Sequence, residues 1–182
     1  MSVIVDASVA LKWVIEEDNS DLARALFLNE TMAAPDLFWI ECANVLWAKA
    51  RRGQITAADA RDALDVIEAT PVSALAVRPL ARAAQAIALE LKQTAYDSLY
   101  LAAALAERAV LVTADEAFAR AALAHPTFVP PIQAVDDTRD GGGGRRRQQH
   151  PVALAHQQRK IDRLRDEQRQ RDHRIPKTTE KA

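Results

Sequence analysis

Short apolar runs alternate with longer stretches of helical spacing over residues 1–137. Val3-Ile4-Val5 is the compact run that a buried strand needs, so Ser2–Val5 is predicted as the first strand. Residues 8–15 then place Val9, Leu11, Trp13 and Val14 at helical spacing, with Asp6 in the turn between. A second helix is expected over residues 21–28, leading into the small apolar stretch Met32-Ala33-Ala34. Pro35 suits the start of a third helix and Gly53 its end, which puts Glu41 on that helix. Thr56-Ala57-Ala58-Asp59 opens the next, with Thr56 as N-cap, and Pro71 stops it after Ala69. Residues 72–77 read as another strand, followed by alanine-rich helices over residues 79–92 and 95–108, the second opened by Thr94. Residues 109–113 form the clearest strand, and Thr113-x-x-Glu116 has the spacing of a capping box for a helix through Leu123. A last short strand falls within residues 128–135.

Strands separated by helices predict an α/β fold with a central, mostly parallel sheet flanked by helices. In such sheets the working crevice lies at the carboxyl ends of the strands. Asp6 and Asp115 each follow a strand directly, so topology alone brings both to that edge.

The pattern stops at Thr138. Residues 141–144 are all glycine, 145–147 all arginine, and residues 148–182 are rich in Gln, Arg and Asp with little to bury. Residues 1–137 are therefore read as one domain and residues 138–182 as a low-complexity, disordered tail. Ile161 and Leu164 keep helical spacing, which allows a partner-induced helix over residues 152–172. Charge divides at the same place: 11 Lys/Arg against 19 Asp/Glu in residues 1–137 (net −8), and 13 against 6 in residues 138–182 (net +7).

Composition removes several chemistries. A single cysteine, Cys42, excludes an internal disulfide and a Cys-rich zinc site. His125 is the only histidine before residue 138, leaving almost no material for a Ser-His-Asp relay. Gly53 is the only glycine before residue 141, so there is no glycine-rich phosphate loop. No run is long enough to span a bilayer, and the first residues lack the features of a signal peptide, so a cytoplasmic location without membrane contact is expected.

Against that background four acids stand out in apolar settings: Asp6 after Val3-Ile4-Val5, Glu41 within Leu37-Phe38-Trp39-Ile40, Asp97 beside Tyr96, and Asp115 just past Val110-Leu111-Val112-Thr113. Each has a bland reading. Asp6 and Asp115 could cap helices, Asp97 could serve the helix dipole three residues past Thr94, and Glu41 could reach solvent from the edge of its stripe. Together they favour a shared cause. Two unit charges about 4 Å apart repel by about 4 kcal/mol even at an effective dielectric near 20, and a hard divalent cation with oxygen ligands removes that penalty. Mg²⁺ or Mn²⁺ would suit the set and could activate a water for phosphodiester hydrolysis.

Val3-Ile4-Val5-Asp6-Ala7-Ser8-Val9, Pro35-Asp36-Leu37 leading to Glu41 and Asn44, Tyr96-Asp97-Ser98-Leu99-Tyr100-Leu101-Ala102, and Leu111-Val112-Thr113-Ala114-Asp115 occur in that order. Over residues 1–135 they resemble the PIN-domain ribonucleases, specifically the VapC-type toxins of bacterial toxin–antitoxin pairs. The resemblance implies a PIN-like fold and a Mg²⁺- or Mn²⁺-dependent endoribonuclease, with Asp6, Glu41, Asp97 and Asp115 as catalytic and metal-holding acids. It places Ser8 and Thr113 where hydroxyls support the acids, Asn44 near Glu41, and Glu116 where some relatives carry a further acid, although capping accounts for Glu116 as well. It further implies an RNA substrate, a cognate antitoxin and a homodimer. The rival readings are a non-catalytic PIN-like module that binds RNA or a partner, and a housekeeping RNA-processing nuclease. Trp13, Trp39 and Trp47 read as core or dimer-interface aromatics, Cys42 as a small buried residue, and Arg51-Arg52 as a solvated helix end that could also contact RNA phosphates.

The boundary is testable. Truncation after Asp137 should leave the melting temperature of the domain unchanged, because no core is lost. A clear fall in that temperature would show that the tail packs on the domain.

Overall fold

The computed structural model describes residues 2–29, 31–125 and 132–134. Within them five strands, β1 (Ser2–Val5), β2 (Thr31–Pro35), β3 (Val72–Leu75), β4 (Val110–Thr113) and β5 (Ile132–Ala134), form one parallel sheet in the order β3-β2-β1-β4-β5. The helices are α1 (Ala7–Val14), α2 (Ser20–Asn29), α3 (Phe38–Arg51), α4 (Ala57–Glu68), α5 (Val77–Leu91), α6 (Ala95–Glu107) and α7 (Glu116–Leu123). The predicted α/β architecture is the observed one. The 137/138 boundary, the tail, its 152–172 segment, and residues 128–131 and 135 of the expected last strand lie outside the described residues.

Strand order explains where a site can form. The chain steps outward from β1 to β2 to β3, then crosses back to place β4 on the other side of β1. That reversal opens a crevice beyond the carboxyl ends of β1 and β4. Their register, Val5 opposite Val112, sets the residues after the two strands side by side.

The sheet is held from both sides. Ile4, Val5, Leu111 and Val112 are buried, and burial of each such side chain stabilises the fold by roughly 1.5–3 kcal/mol. Helix α1 packs with α2, α3 and α4, while α6 packs with α5 and lies against β1, β2 and β4. Ala102, Ala103 and Ala104 of α6 are buried, and their small side chains let the helix approach the strands closely.

Three local expectations change. Met32-Ala33-Ala34, read only as a small apolar stretch, is the middle of β2 and pairs with both β1 and β3. Pro35 does not open the third helix; it ends β2 opposite Leu75, a strand terminus where its missing N–H is tolerated, and α3 begins at Phe38. The cap of α7 is Asp115 and not Thr113: the Asp115 carboxylate accepts from the Phe118 amide at 2.9 Å, while Thr113 is still the last residue of β4.

The tryptophans divide. Trp13 is buried, donates from Nε1 to the Ala23 carbonyl at 3.0 Å and lies 6.5 Å from the ring of Phe38. Trp39 meets Phe38 edge-on at 5.2 Å. Trp47 is not a core aromatic: it is 57% exposed, with the Arg51 guanidinium 4.9 Å from its ring centre.

Candidate active site

Asp6 is built into the seam between β1 and β4. Its amide donates to the Val112 carbonyl at 3.0 Å, continuing the ladder one residue past the strand. Its carboxylate then caps α1, Oδ1 accepting from the Ser8 amide at 3.1 Å. The other oxygen, Oδ2, accepts from the Thr113 hydroxyl at 2.5 Å. The Asp115 amide donates to that same Thr113 oxygen at 3.0 Å, so the hydroxyl proton of Thr113 is directed to Asp6. Ser8 closes the seam by accepting from the Ala114 amide at 3.1 Å. The hydroxyls of Ser8 and Thr113 thus tie the end of β4 to the end of β1 and fix the Asp6 carboxylate.

Two more acids arrive from helices. Glu41 lies in the first turn of α3, half-buried, and accepts at Oε2 from the hydroxyl of Tyr100 on α6. Asp97 lies in the first turn of α6, where its amide donates to the Thr94 hydroxyl at 3.1 Å and its carboxylate accepts from that hydroxyl at 2.6 Å. Each acid therefore has neutral donors. Among the described residues no lysine or arginine forms an ion pair with Asp6, Glu41, Asp97 or Asp115.

The electrostatics show which acids share the cleft. Desolvation raises the pKa of Asp6 above its ordinary 3.8, opposed by the hydrogen bonds from Thr113 and Ser8, and the charge of Asp97 adds to the rise. Desolvation likewise raises Glu41 above 4.5, with the charges of Asp6 and Asp97 adding to it against the Tyr100 hydrogen bond. Asp6, Glu41 and Asp97 thus form one coupled set. Their field reaches further: burial, then the charges of Glu41 and Asp6, push the Cys42 thiol up to about 12, so this buried thiol stays protonated and is not a nucleophile at neutral pH. Burial and the charge of Asp6 also push the Tyr100 phenol upward, which keeps it a hydrogen-bond donor.

The other predicted residues stand further out. Asp115 is exposed at the rim of the same edge and caps α7. Glu116, in the first turn of α7, and Asn44, on α3, are exposed. Tyr100 is the residue that sequence reasoning passed over, although a tyrosine one helical turn beyond Asp97 in an otherwise apolar run was the signal for it.

Among the described residues no three or more His, Cys, Asp and Glu side chains are already arranged as a coordination sphere. The donor set nevertheless fits a hard divalent cation in kind. It offers carboxylate oxygens only, and among the described residues no lysine or arginine pairs with them.

Comparison with known proteins bears on the family and the fold. The family model for the PIN domain matches residues 3–123. The chain is 33% identical over 124 residues to Ribonuclease VapC3 of Pyrobaculum aerophilum, covering 65% of this chain and 93% of that protein. The fold is similar to the crystal structure of PAE2754 from Pyrobaculum aerophilum, with TM-score 0.55 and 25% identity over 72% of this chain and 83% of that one. It is also similar to a structure of VapBC2 from Rickettsia felis bound to a promoter DNA fragment, with TM-score 0.51 and 16% identity over 74% and 98%.

The raised acids make stability depend on pH in a definite direction. Without metal, folded Asp6 and Glu41 keep protons that the unfolded chain releases above 3.8 and 4.5. The folded state therefore loses stability as pH rises from those values through the raised ones. Lowering the pH from neutral toward those ordinary values should raise the melting temperature of metal-free protein, and Asp6→Asn should flatten the trend. Asn caps a helix as well as Asp does, so the cap of α1 is kept in this variant, and an undiminished pH trend in Asp6→Asn would take the pH dependence away from Asp6.

Proposed function

Because the chain belongs to the PIN-domain family, we propose that it is a metal-dependent endoribonuclease and the toxin of a VapBC-type toxin–antitoxin pair. The observation that carries the reading is that Asp6 is fixed at the end of β1 by Thr113 and Glu41 is bonded to Tyr100, one turn beyond Asp97 on α6, with no lysine or arginine among the described residues paired to any of the three. These three would hold the cation, with Asp115 at the rim available to a second ion or to substrate-bound water. A bound Mg²⁺ or Mn²⁺ would supply a polarised water nucleophile and neutralise charge developing on the phosphate. The chain's own contribution is positioning. Ser8 and Thr113 fix Asp6, the capped start of α6 fixes Asp97, and repulsion among the acids is held in place by the sheet beneath. Hydrolysis of an RNA phosphodiester is the reaction that kinship with VapC3 supports.

An antitoxin partner is part of the same proposal and follows from the resemblance to VapC-type toxins, to which the relative VapC3 belongs by name. An antitoxin that lays a guanidinium among the three acids would take the place of the cation, since arginine pairs bidentately with carboxylates. Among the described residues no helix is long and apolar enough to cross a membrane, and the proposed place of action is the cytoplasm.

Purified protein free of antitoxin should cleave RNA with Mg²⁺ or Mn²⁺ and stop on chelation. Asp97→Asn should reduce cutting by roughly two orders of magnitude or more, since the several kcal/mol that a cation contributes act at about 1.36 kcal/mol per tenfold. Undiminished cleavage in excess EDTA would sink the metal mechanism.

The toxin role needs its own measurement. Expression should halt growth, and co-expression of the antitoxin encoded beside it should restore growth. Harmless expression of folded, active enzyme would reassign it to RNA processing.

A further inference from the structure

Tyr100 has no part in the metal chemistry itself, yet its placement is unusual for a core aromatic. It is 2% exposed, and its hydroxyl reaches across from α6 to donate to Oε2 of Glu41 on α3. A buried phenol needs an acceptor, but any backbone carbonyl would satisfy it. Here the acceptor is one of the three coupled acids. We propose that Tyr100 is a positioning residue that holds the Glu41 carboxylate by one oxygen, so that the other is presented to the cation shared with Asp6 and Asp97.

Three observations support this role. Tyr100 lies one turn beyond Asp97 on α6, so one helix positions two of the acids, Asp97 directly and Glu41 through the hydroxyl. Among the described residues Oε1 of Glu41 accepts no hydrogen bond and is available as a ligand. The donor is neutral, so it orders the carboxylate without cancelling its charge as a lysine or arginine would. A half-buried glutamate otherwise samples several rotamers, and ordering it before the metal arrives lowers the entropy lost on binding. Groups that orient a metal ligand in this way typically contribute about 10- to 100-fold in metal affinity or activity.

The inference rests on the metal-dependent reading, and titration of the full chain with Mn²⁺ separates the two. Tyr100→Phe keeps the ring and its packing and should weaken Mn²⁺ binding by about 10- to 100-fold. RNA cleavage should fall in parallel at limiting Mn²⁺ and recover at high Mn²⁺, whereas Glu41→Gln should not recover. In the Glu41→Gln background the further change Tyr100→Phe should alter Mn²⁺ affinity by less than about twofold, because the carboxylate ligand that Tyr100 positions is already gone. This non-additivity is the readout that a packing role would not produce. Wild-type affinity in Tyr100→Phe, or its full additional loss in the double variant, overturns the role of Tyr100 while leaving the metal mechanism standing. A wild-type protein that binds no Mn²⁺ overturns both.

Discussion

Like-charge repulsion in a partly desolvated crevice is the interaction to which the carboxyl edge of this sheet is adapted. Asp6 and Glu41 hold their protons more tightly because burial desolvates them and, to a smaller extent, because of the charge of Asp97, and no basic side chain among the described residues pairs with any of the three. Left to themselves such groups would swing apart into water. They are kept together because each is fixed by elements whose positions are decided elsewhere: Asp6 by the pairing of β1 with β4, Glu41 by the helix after β2, and Asp97 by a helix packed on the strands. The buried sheet supplies the stability that the crevice subtracts.

The donors chosen for these acids obey the same logic. A lysine or arginine in their place would cancel the charge of these acids. Hydroxyls and amides satisfy the carboxylates and leave their charge intact. Thr113 illustrates how specific this is, because the Asp115 amide occupies its acceptor side and so turns its proton toward Asp6. The acids are ordered by neutral donors, which leave their oxygens open to a cation.

Much of this arrangement is legible in the sequence because it depends on local rules. Apolar runs and helical spacing identify most elements, and strand-then-acid at Asp6 and Asp115 locates the working edge before any contact is known. What could not be read depends on partners distant in sequence. Met32-Ala33-Ala34 is too short and too alanine-rich to declare itself a strand, and becomes one because β1 and β3 flank it. The Thr113-x-x-Glu116 spacing matched a cap, but the nearer and stronger acceptor Asp115 takes that place and frees Thr113 for a residue 107 positions away. Glu41 and Tyr100 are 59 residues apart, and no periodicity could have joined them. Asp115 shows the limit of the edge argument: topology brings it to the crevice, while its own helix engages its carboxylate.

Charge placement outside the crevice bears on how an acidic domain can act on a polyanion. Lys12 donates to the Asp18 carbonyl at 2.8 Å, Lys49 pairs with Glu17 at 2.8 Å, and Arg24 pairs with Glu16 at 2.7 Å. Three of the domain's eleven basic residues are thus committed to the α1–α2 connection and its contact with α3, where they do not relieve the crevice acids. RNA approaching the crevice would meet carboxylates first, and repulsion would oppose binding until that charge is offset. A cation held by the three acids would reverse the local sign at the point where a phosphate must sit. On the proposed reading, metal loading would act on substrate association as well as on the chemical step, so the acidity of residues 1–137, awkward for a nucleic-acid enzyme on composition alone, would make RNA engagement depend on the occupied site.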